Sequence, residues 1–237
     1  MVSAARPILV AVAHGTRAPS GPAVIDQLLV GVRALLPDVA VEIAYVDVLQ
    51  PDLDTVLSRA HDAAVVVPLF LAGGYHVRVD VPRAVARSRG RVLVSAPLGP
   101  DPAVIAAVAD RHATALDGRR PDAVVLAAAG SSDPRARADV ETAAVRLGAL
   151  LTVPVIPAYV TSAEPRVADA VAALRADGNR IVSISTYLLA PGLFARSLAD
   201  AGADTVAAPI GAHPLVVDLV TRRYQNTVVN RQDDDTR

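Results

Sequence analysis

The sequence predicts an α/β fold of two similar lobes, each a four-stranded parallel sheet flanked by helices, and three observations carry that prediction. Short apolar β-branched runs alternate with longer segments of helical period, the pattern of parallel strands joined by crossover helices. Eight such runs occur in 237 residues. The landmarks of the first half also recur in order in the second: Ala44-Tyr45-Val46 before Gln50-Pro51 returns 114 positions later as Ala158-Tyr159-Val160 before Glu164-Pro165.

The first lobe is assigned to 1–117 and the second to 121–230, with 231–237 a charged tail expected to stay disordered. Strands are predicted at Ile8–Ala13, Val41–Asp47, Ala64–Leu71 and Val92–Ser95 in the first lobe. Their counterparts are Ala123–Ala129, Val155–Val160, Ile181–Tyr187 and Thr205–Ala207. After the first strand, Ile25, Leu28, Leu29, Val32, Leu35 and Leu36 share one helical stripe. A polar residue followed by Pro at the first helical position marks helix starts at Asp101-Pro102, Asp133-Pro134 and Glu164-Pro165, and Gln50-Pro51 and His213-Pro214 look similar. The repeat extends to Phe70-Leu71-Ala72-Gly73-Gly74 over Leu188-Leu189-Ala190-Pro191-Gly192, and to Ala96-Pro97-Leu98-Gly99 over Ala208-Pro209-Ile210-Gly211.

Composition narrows the function classes. A formal net charge of −1 leaves no electrostatic footprint for nucleic acid or an anionic membrane. No segment offers the roughly 20 apolar residues that span a bilayer. The opening MVSAARPILVAVAHG lacks a signal-peptide layout, so the chain is expected to be soluble and cytoplasmic. The absence of Cys excludes disulfides, thiolate zinc sites and iron–sulfur clusters, and leaves His and carboxylate as metal ligands.

Ligands of open parallel sheets bind beyond the carboxyl ends of strands, and two such lobes make the cleft between them the natural site. His14-Gly15-Thr16-Arg17 follows the first strand and Gly73-Gly74-Tyr75-His76 the third, which puts both histidines on one sheet edge. Asp47 ends the second strand there, either as a third functional group or as a capping carboxylate. Two imidazoles beside an acid suit a divalent first-row metal and leave positions open for exchange. The second lobe has Ala129, Phe194 and Thr161 at the positions of His14, His76 and Asp47. A purely structural role would more naturally have kept those groups in both copies. His61, His112 and His213 read as solvated or capping residues.

The segments VAHGTR, AYVDVLQP and VPLFLAGGYHVRVDVP resemble the sirohydrochlorin chelatase family, class II tetrapyrrole chelatases known as CbiX in cobalamin synthesis and SirB in siroheme synthesis. The likeness is strong over 8–117 and continues as a degenerate copy to about residue 225, the arrangement of the long form with an internal duplication. It implies a chelatase-like fold and a lyase that inserts Fe²⁺, or alternatively Co²⁺, into sirohydrochlorin without an organic cofactor. His14 and His76 are then the metal-binding and catalytic histidines. Asp47 stands where the family usually carries Glu, with the same charge and a reach one methylene shorter. It would orient a histidine or relay protons.

A substrate rich in carboxylates calls for an anion-binding rim. Thr16, Arg17, Gly73, Gly74, Tyr75 and Arg78 are the expected substrate-binding residues, Arg83 extends the rim, and Arg87, Arg89 and Arg91 read as a solvated helix face. The partners implied are the tetrapyrrole and the metal ion, with the chain a monomer or a homodimer. Two rivals stand against this reading. A histidine phosphatase would need Arg where Ala13 stands, and a non-catalytic metal or tetrapyrrole carrier would use the same groups.

Overall fold

The computed structural model describes residues 6–16, 18–60 and 63–234. These form two parallel sheets of four strands. In the first, β1 (Ile8–Ala13), β2 (Val41–Tyr45), β3 (Ala63–Pro68) and β4 (Arg91–Val94) lie in the order β2-β1-β3-β4. In the second, β5 (Ala123–Ala128), β6 (Val155–Tyr159), β7 (Val182–Tyr187) and β8 (Thr205–Val206) repeat it as β6-β5-β7-β8. Register repeats too, since Ala13 pairs with Tyr45 as Ala128 pairs with Tyr159.

The helices are α1 (Ser20–Leu35), α2 (Leu53–Arg59), α3 (Val81–Arg87), α4 (Pro102–Leu116), α5 (Pro134–Leu151), α6 (Val167–Ala176), α7 (Leu193–Ser197) and α8 (Pro214–Asp234). A π-helical turn, His76–Asp80, precedes α3. Asp101 caps α4 by accepting the Ala103 N–H at 2.9 Å, and Asp133 caps α5 by accepting the Arg135 N–H at 2.9 Å, with Pro next in line as the spacing predicts. Two starts differ. The carbonyls of Pro51 and Pro165 accept the N–H groups of Tyr45 and Tyr159 at 3.0 and 2.9 Å, which continues the strand pairing, so α2 and α6 begin only at Leu53 and Val167. At its far end α8 runs to Asp234, into the segment read as a tail.

Alternation along the strands divides the core into layers. Leu9, Ala11, Val65 and Val67 face inward to Leu28, Leu29, Val108, Leu126, Leu147 and Val220 in one core shared by both sheets. Val10, Val12 and Val66 face outward to α2 and α3, while Val125, Ala127 and Ile184 face α6. Four helices fill the space between the sheets, and two of them are exchanged. Helix α4, which follows the first sheet, packs on β7 and β8 of the second; α8, which follows the second, packs on β3 and α1 of the first.

His112 on α4 is not the solvated or capping residue that its helical position predicts. It is 0% exposed, bonded through Nδ1 to Ser185 Oγ at 2.8 Å and through Nε2 to Ser183 Oγ at 3.3 Å, so it fastens α4 to β7. Burial pushes its pKa below the usual imidazole range, and the folded state holds it neutral. His213 does act as a cap, its Nδ1 accepting the Leu215 N–H at 3.3 Å where α8 begins. His61 lies outside the described residues.

Candidate active site

His14 is the first residue beyond β1, and its position is fixed through the main chain. The Asp47 N–H donates to the His14 carbonyl at 3.1 Å, and Gly15, at φ +93°, passes so close that a Cβ there would lie 2.4 Å from the Asp47 carbonyl oxygen. Only glycine fits that crossing. The second lobe keeps the same fastening: Thr161 N–H donates to the Ala129 carbonyl at 2.9 Å, and a Cβ on Gly130 would sit 1.7 Å from the Thr161 oxygen. The loop geometry is thus common to both repeats, whereas the imidazole and the carboxylate belong to one.

The loop after β3 is held from three sides before it delivers His76. The Gly99 N–H donates to the Phe70 carbonyl at 3.0 Å. The Tyr187 hydroxyl, reaching across from β7, donates to the Leu71 carbonyl at 2.9 Å, and burial drives its pKa far up, so it stays a donor. The Gly73 N–H donates to Asp139 Oδ2 on α5 at 2.8 Å. Two of these fastenings come from the second lobe, so that lobe positions the site even though it supplies no imidazole.

The result is a pair of rings in contact. His14 and His76 have centroids 4.6 Å apart at an interplanar angle of 82°. Phe70 stacks over His76 at 6.1 Å, and Tyr75 meets it edge-on at 6.0 Å. His76 is half-buried and His14 exposed. Asp80, absent from the residues singled out by sequence, binds His76 Nδ1 through Oδ2 at 2.7 Å. Its signal is the four-residue spacing in His76-Val-Arg-Val-Asp80, which places both groups on one helical face. A carboxylate at Nδ1 puts the hydrogen there and leaves the Nε2 lone pair free. His14 Nδ1 similarly lies 3.2 Å from the Gly15 carbonyl, which only accepts, and among the described residues its Nε2 has no hydrogen-bond partner.

The other expected residues are placed variously. Asp47 is exposed; its carboxylate accepts the Val48 N–H at 2.8 Å, and among the described residues it bonds neither imidazole. Thr16 Oγ1 accepts the Ala18 N–H at 3.2 Å. Arg78, though exposed, lies along the loop, its Nε donating to the Gly73 carbonyl at 2.7 Å and lying 4.0 Å from Asp133, so it braces the glycine loop against α5. Gly74 sits beside Ser131 and Ala136. Tyr75 is 55% exposed, and its hydroxyl accepts from Arg83 Nη1 at 3.5 Å. Arg17 lies outside the described residues. Among the described residues no three His, Cys, Asp or Glu side chains gather into a metal-holding group. Two imidazole nitrogens leave most of an ion's coordination to water or to an incoming ligand.

The chain is similar to known proteins over nearly its whole length. The CbiX family profile matches residues 8–115 and again 123–227. The sirohydrochlorin ferrochelatase of Bacillus subtilis (strain 168) is 26% identical over 239 residues, covering 93% of this chain and 92% of that protein. A sirohydrochlorin cobaltochelatase of Methanopyrus kandleri is 30% identical over 79 residues, 32% of this chain and 55% of that protein. The structure of SirB from Bacillus subtilis with Fe³⁺ superposes with a TM-score of 0.79 at 26% identity, covering 96% of this chain and 98% of that one.

Proposed function

The chain belongs to the CbiX family, and from that membership and its paired imidazoles we propose that it is a sirohydrochlorin ferrochelatase, a lyase inserting Fe²⁺ into sirohydrochlorin to give siroheme. The observation that carries the reading is the pair of touching histidines, built on a loop frame that both repeats share and retained in one repeat only.

Insertion requires Fe²⁺ to shed water, the macrocycle to turn its nitrogens toward the ion, and two pyrrole protons to leave. With both Nδ1 atoms directed at acceptors, the two Nε2 lone pairs are left to serve as neutral ligands or bases. His76, half-buried and held by Asp80, is the fixed member and binds the incoming ion; His14, exposed, is free to take a pyrrole proton as the metal transfers. As the ion exchanges water and His76 for the four ring nitrogens, His14 takes one of the two pyrrole protons and His76, released by the metal, takes the other. The doubly deprotonated ring balances the 2+ charge without a redox step. Asp47, exposed two residues beyond β2 and tied to His14 through the main chain, passes protons to solvent. Thr16, Gly73, Gly74 and Tyr75 border the substrate, and Arg78 serves it by bracing the glycine loop. No helix of the described residues is long and apolar enough to cross a membrane, and we place the reaction in the cytoplasm.

Anaerobic incubation of the protein with sirohydrochlorin and Fe²⁺, followed by absorbance, tests the proposal. His14→Ala and His76→Ala are each expected to lower the insertion rate by about 100-fold, the usual scale of a lost acid–base group. Retention of most of the rate by both variants rejects the assignment, and a background rate in the wild type identifies a carrier. The 79-residue likeness to a cobaltochelatase keeps Co²⁺ as the second reading, decided by the ratio of the two insertion rates.

A further inference from the structure

We propose that α7 is the platform on which the second lobe seats the tetrapyrrole, with Leu193 and Phe194 against the macrocycle face and Arg196 at its carboxylate edge. The proposal rests on the reaction assigned above and names the residues that complete its substrate site. It begins from a contact made twice. A Cβ on Gly192 would lie 3.5 Å from Thr16 Oγ1, and one on Gly74 would lie 3.6 Å from Ser131 Oγ. Gly192 and Gly74 are repeat partners, as are Thr16 and Ser131, so the third-strand loop of each lobe leans on the first-strand loop of the other. Helix α7 starts directly after Gly192 and therefore borders the same opening as His14-Gly15-Thr16.

The residues presented there are not those of a solvated helix end. Leu193 is 69% exposed and Phe194 43%, in a chain whose aromatic content is only 3%. Phe194 occupies the repeat position of His76, so an apolar ring stands where the other lobe offers a base. A conjugated macrocycle has an apolar face of this kind and binds aromatic side chains by stacking.

Arg196 supplies the polar half of the argument. Its repeat partner, Arg78, is tied to the Gly73 carbonyl and to Asp133. The first-lobe residue at the position of Asp133 is Ala18, so the acid that would hold Arg196 is missing, and among the described residues its guanidinium has no hydrogen bond or ion pair. A guanidinium without a partner among the described residues, two and three positions after an exposed apolar pair, matches a ligand with an apolar face and a carboxylate rim.

Titration of the full-length protein with metal-free sirohydrochlorin, followed by absorbance, tests this, with Co²⁺ titrated alone in parallel. Phe194→Ala is expected to weaken tetrapyrrole binding about tenfold, and Phe194→Leu, which keeps the apolar area, about threefold at most. Arg196→Gln is expected to weaken it about threefold at low ionic strength, a difference that disappears in high salt. Co²⁺ affinity stays unchanged in all three, and Val30→Ala, 63% exposed on α1, alters neither titration. Wild-type affinity for the tetrapyrrole in Phe194→Ala and Arg196→Gln, in a protein that inserts metal, overturns the α7 proposal alone. A parallel fall in Co²⁺ affinity overturns it too, because the platform acts on the macrocycle. A wild-type protein that binds no tetrapyrrole overturns the proposed reaction together with this inference.

Discussion

Asp80 and His76 sit one helical turn apart, and the 2.7 Å bond between them decides which imidazole nitrogen faces the opening. In Asp80→Asn the amide oxygen can still accept from Nδ1 but brings no charge, so the Nε2 lone pair becomes a weaker ligand. The expected outcome is a loss of about ten- to 100-fold in metal affinity or insertion rate, the scale of outer partners of metal-binding histidines. Stability should change by less than about 1 kcal/mol, because both side chains are partly solvated. Co²⁺ titration, thermal unfolding and the ¹⁵N shifts of the His76 ring check these outcomes together. That both histidines share one sheet edge was legible in the sequence, since His14 follows directly on the first apolar run and His76 ends the loop after the third. Asp80 was not, because its spacing means a shared face only once residue 76 is known to open a helix. Arg78 looked like a rim residue by its position alone; only the fold reveals that Gly73 and Asp133 take up its guanidinium.

At the level of the elements, the fastening of α4 to β7 makes stability depend on pH. His112 is buried and neutral in the folded protein, with its pKa lowered chiefly by desolvation, whereas the unfolded chain takes up a proton as pH falls through the ordinary imidazole value of about 6.5. The stabilisation is complete above that value and declines as pH drops below it toward the lowered folded value. Urea midpoints at about pH 7.5 and 5.5 measure the loss, and in His112→Gln the difference between them should shrink. It should not vanish, because His213 is shifted in the same direction. All eight strands could be read from the sequence, because a short β-branched run such as Val65-Val66-Val67 between polar segments matches a buried parallel strand. The starts of α2 and α6 could not, since the hydrogen bonds to Pro51 and Pro165 come from neighbouring strands. Nor could the burial of His112: helical period says which face is apolar, not which sheet will cover it.

The whole molecule is two copies of one plan that do not stand side by side as separate bodies. Helices α4 and α8 each leave their own sheet and complete the other's inner layer, so the central core draws Leu9 and Val65 from one copy and Leu126 and Leu147 from the other. Fragments 1–120 and 121–237 are therefore expected not to fold cooperatively when expressed alone, and to recover a single thermal transition and the insertion activity when co-expressed. Denaturation scans and gel filtration of the fragments, separately and together, check this. One chain already supplies both lobes, so a monomer suffices for the site we propose, and gel filtration of the intact protein tests that as well. The exchanged helices also dictate how anything bulky reaches the histidines. Jaws hung on separate pivots can gape, but these two are laced together by their own backbones, so the frame behind the histidines is expected to hold its width while a ligand enters.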